Sequence, residues 1–409
     1  MGALPLALLT DEVVRYKDLP KTTDVECFLE IFEQWGAEVN AAPPLTSIAT
    51  AGACCHEVPV DIGRRFRGAF SLAGPLLARF GKAAVPIPGG CKLGARSVAT
   101  HINSFREMGI EIDIREDCVY FNRPTSWGGS HSVWLPEASV TATLNVAMFA
   151  AASNCEVEII DAACEPHVVD VLDALVAMGA TIEGIGTNKL LVKGSDRLST
   201  VEFAATPDFV DIAGYCVAAA VTRGTITIES ANRPALVNGI VKWFRLFGLE
   251  IEQNDTDLVV HGDRDLVINM NEFPLASRDL PKLVVRPWPG FPVDVMPVMV
   301  TLATKATGRI LFQNWMYESG FDFVRELTYL GADIYMSDPQ RIIVMEPKIV
   351  YNGGVVGSPG VIQGTKAIFL AALADHATTV LHGTDILRRR YPDILNTYRS
   401  LGARIEETE

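Results

Sequence analysis

Six times along this chain an amphipathic helical pattern closes on the same ending: an apolar residue, glycine, a small or apolar residue, any residue, then isoleucine or valine. The segments are FLEIFEQWGAEV, HINSFREMGIEI, VLDALVAMGATI, IVKWFRLFGLEI, FVRELTYLGADI and ILNTYRSLGARI. Their glycines, Gly36, Gly109, Gly179, Gly248, Gly331 and Gly402, are spaced by 73, 70, 69, 83 and 71 residues. Such a period means one supersecondary unit used six times. Each glycine suits the left-handed position that ends a helix, and the isoleucine or valine opens the next strand. A doubly wound sheet has no reason to repeat at this interval.

A second helix-like stretch precedes each glycine-ended one in the later units, as in RGAFSLAGPLLARFG, ATLNVAMFAAASN, IAGYCVAAAVTRG, MPVMVTLATKATG and GTKAIFLAALADHA. Short β-like runs follow these stretches: AVPI, EVEII, TITIE, RILF and TVLH. The unit therefore reads as β-α-β-α-β-β, an α/β fold. Three units per lobe give a first lobe over residues 1–206 and a second over 207–409, with an interlobe cleft as the default ligand site. Units two to six carry strand-like residues ahead of their first helix. The first unit starts directly in its helix, at Gly2-Ala3-Leu4-Pro5, which points to a lost leading strand or a start lying upstream.

A net charge of −14 argues against a general binder of nucleic acid or anionic membrane, while leaving room for a local basic pocket. No apolar run reaches the roughly 18 residues of a membrane span. The amino terminus lacks the basic region and cleavage site of a signal peptide. Eight cysteines are scattered without CxxC spacing, the pattern of reduced thiols in a cytoplasmic protein rather than of disulfides or zinc.

The densest chemical candidate is Pro-Gly-Gly-Cys-Lys-Leu-Gly-Ala-Arg, residues 88–96. A thiol at Cys91 in a glycine-rich loop, beside Lys92 and Arg96, should be acidified and exposed. The wider string, RGAFSLAGPLLARFGKAAVPIPGGCKLGARSVATHINSFREMG over residues 67–109, resembles the core signature of the UDP-N-acetylglucosamine enolpyruvyl transferases, a branch of the EPSP synthase superfamily. The resemblance continues through SVTAT (139–143), EPHVVD (165–170), Pro207-Asp208, GFPVD (290–294) and Arg389-Arg390-Tyr391, and spans essentially the whole chain.

It implies an inside-out α/β barrel of two lobes, each of three β-α-β-α-β-β units, which agrees with the sixfold repeat. It also implies transfer of the enolpyruvyl group of phosphoenolpyruvate to a hydroxyl of a uridine-nucleotide sugar, in peptidoglycan precursor synthesis, with no metal or other cofactor. Cys91 would be the general acid, able to form an adduct with phosphoenolpyruvate and to be alkylated by fosfomycin. Asp294 would accept the proton of the attacking hydroxyl. Arg67, Arg96 and Arg389 would bind phosphate and carboxylate oxygens, for which a planar bidentate donor is suited. Ser97, Val98, Ala99, Thr100, Ser139, Val140, Thr141 and Leu311 align with positions contacting the nucleotide sugar, and Glu165 and Asp208 with acidic positions near the cleft. His101 reads as structural.

Departures from the pattern concern the acceptor more than the chemistry. The Lys-Asn pair expected before the first helix is missing. Glu137 and Gln363 stand at usually basic positions, Val361 at a usual aspartate, Ser97 at a usual proline, and Trp315 near a usual arginine. Two other readings therefore stay open: a paralogue using another acceptor, such as the 3′-hydroxyl of a uridine nucleotide, and a non-catalytic binding relative. A shikimate-3-phosphate acceptor fits least, because the PGGC loop belongs to the sugar-nucleotide branch.

Overall fold

All six repeat glycines take left-handed backbone angles, with φ of 87° at Gly36, 77° at Gly109, 117° at Gly179, 76° at Gly248, 109° at Gly331 and 100° at Gly402. They close the helices Thr23–Gln34, Ala99–Glu107, Pro166–Met178, Pro234–Arg245, Val324–Tyr329 and Ile394–Ser400. The first five lead into strands as the pattern predicts, at Glu38–Ala42, Glu111–Arg115, Thr181–Glu183, Glu250–Gln253 and Ile334–Asp338. The sixth does not: residues 403–407 form no strand, and the Ile405 carbonyl instead accepts from Arg399 Nε at 3.0 Å. The computed structural model describes residues 1–88, 97–269, 271, 280–347, 352–374 and 376–407.

The second helical stretch of each later unit is the buried one. Ala73–Phe80, Val140–Ala151, Phe209–Val221, Met296–Ala303 and Ile362–Leu373 are apolar nearly all round, which suits a helix enclosed on every side. Their small residues allow close approach. A Cβ at Gly74 would stand 2.1 Å from the Asn145 carbonyl oxygen, so only glycine lets the first two of these helices meet there. Each is followed by the expected strand: Lys82–Pro86, Cys155–Ile160, Thr225–Ile228, Ile310–Gln313 and Thr379–His382.

The chain gathers into two compact units that meet in sequence between Thr206 and Pro207. The first unit carries three sheets. Their strand orders are Glu202–Ala204, Val14–Lys17, Leu45–Ala49, Glu38–Ala42; then Lys82–Pro86, Cys118–Asn122, Glu111–Arg115; then Gly129–Trp134, Cys155–Ile160, Lys189–Lys193, Thr181–Glu183. The second unit also carries three, built on Thr225–Ile228, on Ile310–Gln313 and on Thr379–His382. Every described sheet is open. Strand burial alternates, as in Val14–Lys17 and Cys155–Ile160, so each sheet turns one face to a helical core and the other outward. The barrel-like lobe is thus realised with helices inside and open sheets outside. Each unit has its own core, anchored by Phe28, Phe70, Phe105 and Phe149 in the first and by Phe244, Phe291, Phe312 and Phe321 in the second. Burying each such ring contributes about 1.5–3 kcal/mol.

The leading strands depart from the simple repeat. Ahead of Ala73–Phe80 the strand shrinks to a single bridge, Glu57 with Ala84. The chain begins with a buried 3-10 turn, Leu4–Leu9, rather than an α-helix, and the Tyr16 hydroxyl donates to the Leu4 carbonyl at 3.0 Å. The strand after it, Val14–Lys17, pairs in parallel with Glu202–Ala204, Arg15 opposite Glu202. A segment from the end of the first unit thus completes the sheet of its first repeat.

Candidate active site

Nine of the predicted site residues lie among the described residues of the first unit, and hydrogen bonds draw several of them together. Arg67 opens the 3-10 turn Arg67–Leu72 and donates from Nη2 to the Ser97 carbonyl at 2.8 Å. Ser97 Oγ accepts from the Ala99 amide at 2.9 Å, fixing the start of the Ala99–Glu107 helix after Val98. Thr100 donates its hydroxyl to Glu137 Oε1 at 3.0 Å, so the carboxylate at a usually basic position meets a predicted sugar-contacting residue. Ser139 caps the Val140–Ala151 helix by accepting from the Ala142 amide, which leaves Val140 and Thr141 half-buried in its first turn. Glu165 stands half-buried at the N-cap of Pro166–Met178.

Beneath these residues runs a buried polar chain. Asn145 accepts the Gly74 amide on Oδ1, and its Nδ2 donates to the Phe70 carbonyl at 2.9 Å and to His101 Nδ1 at 3.0 Å. With Nδ1 accepting, the neutral imidazole carries its proton on Nε2 and donates to Thr141 Oγ1 at 3.0 Å. Thr141 is left with its own hydroxyl hydrogen to offer a ligand. Burial pushes His101 down from the ordinary 6.5 to about 3, and Arg67 adds in the same direction.

A histidine held neutral in the fold but protonated in the unfolded chain supplies stability that is complete above pH 6.5. That stability is lost progressively as pH falls toward 3. We expect the thermal midpoint of the wild type to fall between pH 7 and pH 4 more steeply than that of His101→Gln. Equal slopes would show that His101 is not the linked group.

In the second unit two of the predicted residues, Asp294 and Asp208, are linked through Arg390. Asp294 sits in the 3-10 turn Val293–Val295 ahead of the Met296–Ala303 helix, and 45% of its side chain is exposed. It lines a cavity of about 30 Å³ with Asn314, Tyr317, Ser319 and Gln363, space for a water or two. Asp208 is the N-cap of Phe209–Val221, accepting from the Val210 amide at 2.9 Å. Arg390 holds the same carboxylate by Nε at 3.1 Å and Nη2 at 2.6 Å, while its Nη1 lies 3.9 Å from Asp294 Oδ2. Burial by itself would push the Asp208 carboxyl up, but the Arg390 charge and its hydrogen bonds hold it below the usual carboxylate range.

Asp211, one turn on, receives Lys366 Nζ at 2.6 Å. This lysine is fully buried, with its ammonium 3.9 Å from the Tyr391 ring centroid, and Tyr391 donates to Gln363 Oε1 at 3.3 Å. A Cβ at Gly214 would come within 2.4 Å of Lys366 Nζ, so the glycine makes room for the charge. Asp211→Ala leaves Lys366 without its carboxylate partner and is expected to cost the second unit about 3–5 kcal/mol. It should lower the urea midpoint, which Asp211→Ala with Lys366→Met should largely recover. An unchanged midpoint in the single variant would contradict this.

Leu311 lies half-buried in strand Ile310–Gln313, three residues before Asn314, and Arg389 ends the 3-10 turn Thr384–Arg389. Cys91 and Arg96 lie outside the described residues. Sequence reasoning missed Arg390 and Lys366. Three consecutive arginines, 388 to 390, offered three registers, and motif position selected Arg389. Lysine in an otherwise apolar helical stretch, GTKAIFLAAL, was the signal for Lys366. A larger hollow of about 470 Å³, lined by Lys82, Asn122, Arg123 and Trp127, holds none of the predicted residues.

With this geometry in view, the chain matches the family described as EPSP synthase (3-phosphoshikimate 1-carboxyvinyltransferase) over residues 2–398. It is 32% identical over 411 aligned residues to a UDP-N-acetylglucosamine 1-carboxyvinyltransferase of Borreliella burgdorferi, covering 100% of this chain and 94% of the relative. A protein of the same name from Bradyrhizobium diazoefficiens is 34% identical, with 99% and 93% covered. Among solved structures, the enolpyruvyl transferase NikO from Streptomyces tendae superposes with a TM-score of 0.84 at 18% identity, covering 99% of this chain and 92% of that one. EPSP synthase from Acinetobacter baumannii superposes with a TM-score of 0.76 at 17% identity, covering 100% and 95%. At these identities the structural likeness bears on the fold alone.

Proposed function

Because the chain belongs to the EPSP synthase (3-phosphoshikimate 1-carboxyvinyltransferase) family, we propose that it transfers the enolpyruvyl group of phosphoenolpyruvate to the 3-hydroxyl of UDP-N-acetylglucosamine, a step of peptidoglycan precursor synthesis. The observation that carries this reading is whole-chain identity of 30% or more to UDP-N-acetylglucosamine 1-carboxyvinyltransferases. Asp294 takes the hydroxyl proton as the acceptor oxygen bonds to C2 of phosphoenolpyruvate, and Cys91 delivers a proton to C3. The tetrahedral adduct then returns a C3 proton to the Cys91 thiolate as its C2–O bond to phosphate breaks. The double bond re-forms and inorganic phosphate leaves.

Arg67, Arg96 and Arg389 hold the anionic oxygens. Ser97, Val98, Ala99, Thr100, Ser139, Val140, Thr141 and Leu311 receive the nucleotide sugar, with Glu165 and Asp208 at its edges. The first-unit hydrogen bonds joining Arg67 to Ser97 and His101 to Thr141 support a preformed surface there. The described cysteines are all free thiols and no described helix is long and apolar enough to cross a membrane, which supports a cytoplasmic setting. Phosphate release from phosphoenolpyruvate with UDP-N-acetylglucosamine, followed by mass analysis of the nucleotide product, tests the reading. No release would remove it.

One observation favours a second acceptor. Glu137 places a carboxylate against Thr100, where a diphosphate would meet like charge. Release with a uridine nucleotide carrying a free 3′-hydroxyl, and none with the sugar nucleotide, would select that acceptor instead.

A further inference from the structure

Three carboxylates and two cations alternate through the second unit: Asp294, Arg390, Asp208, Lys366 and Asp211. Arg390 is the hinge of this series. Its fork is committed to Asp208, with Nε at 3.1 Å and Nη2 at 2.9 and 2.6 Å from the two carboxylate oxygens. Asp208 is in turn fixed by the Val210 and Asp211 amides at the start of a buried helix, so the guanidinium is docked on a rigid element. What remains of it, Nη1, faces Asp294 Oδ2 at 3.9 Å. Tyr391 lies on its other side, the guanidinium carbon 5.9 Å from the ring centroid. Among the described residues, Asp208 and Asp294 pair with Arg390, and Lys366 lies beyond Asp208.

We propose that Arg390 is a positioning residue for Asp294: anchored on Asp208, it fixes one oxygen of that carboxylate, so that the other oxygen faces the acceptor hydroxyl. The inference rests on Asp294 being the base. It assigns to Arg390 a task separate from the anion binding given to Arg389, because the Arg390 fork is spent on protein carboxylates. An arginine with one edge docked and one edge free transmits the rigidity of the helix start to a side chain that is itself nearly half exposed.

The test compares Arg390→Gln, Arg390→Lys and Asp294→Ala in the full chain by steady-state phosphate release, with kcat and KM separated for both substrates. Arg390→Gln should lower kcat about tenfold, with the KM of both substrates within about threefold. Arg390→Lys keeps the charge without the fork, so kcat should recover only partly while KM stays near wild type. Thermal melts establish that each variant is folded, and if Arg390→Gln does not fold, the lysine variant carries the decision through its kcat and KM.

Wild-type kcat in folded Arg390→Gln or in Arg390→Lys would overturn the inference. A loss confined to KM would do the same, marking Arg390 as a substrate ligand. Unchanged turnover in Asp294→Ala would remove the base assignment itself, and this inference with it. A strongly impaired Asp294→Ala beside an unaffected Arg390→Gln would overturn only the positioning role.

Discussion

Asp294→Ala is expected to slow turnover by about 10²–10⁴-fold, the range a positioned general base contributes, while the acceptor still binds with close to wild-type affinity. The carboxylate is about half exposed and lines a cavity shared with Asn314 and Gln363, so truncation leaves no buried partner stranded. Its loss removes a proton acceptor rather than a support of the fold. Calorimetric titration of the acceptor separates binding from chemistry, and single-turnover phosphate release reads the chemical step. Asp294→Asn is nearly isosteric and should be as slow as the alanine variant, since an amide cannot take the proton. Wild-type turnover in both would end the assignment.

An effect of similar size is expected at Cys91. Cys91→Ala should abolish fosfomycin labelling and lower turnover by about 10²–10⁴-fold, because no other group then delivers the proton to C3 of phosphoenolpyruvate. Cys91→Asp should keep measurable turnover while losing the label, since a carboxylic acid can also donate a proton but is not alkylated in the same way. Intact-mass analysis after incubation with the drug reads the label directly. Full activity in Cys91→Ala would refute its role as acid, whatever the labelling shows.

The architecture was legible because its signals are local. A glycine at positive φ after an amphipathic helix marks the same turn wherever it occurs, and all six positions behave alike. The buried helices were legible from their apolar composition. What failed depended on distant partners. The strand expected after Gly402 has nothing described to pair with, and the leading strand before Ala73–Phe80 contracts to one bridge. Neither outcome is written in the residues concerned, since strand formation is settled by neighbours elsewhere in the chain.

The site divides in the same way. Ser139 and Asp208 each cap a buried helix, a local role that short polar side chains at a helix start commonly take. Arg390 could not be separated from Arg388 and Arg389 by sequence, because which arginine reaches Asp208 depends on how the turn at Thr384–Arg389 ends. Lys366 was hidden for a different reason. A cation inside an apolar helix violates the pattern that identifies such helices, and the Asp211 carboxylate with the Tyr391 and Tyr215 rings explains how it is tolerated.

The parallel pairing of Arg15 with Glu202 has a consequence for synthesis. Strand Val14–Lys17 leaves the ribosome early, yet one of its two edges stays open until some 190 further residues have been made (202 − 15 = 187). Closure over so long a stretch carries a large entropic cost and comes late among folding events. Nascent chains released before Glu202 should therefore bind chaperones through that bare edge, and those released just after it should not.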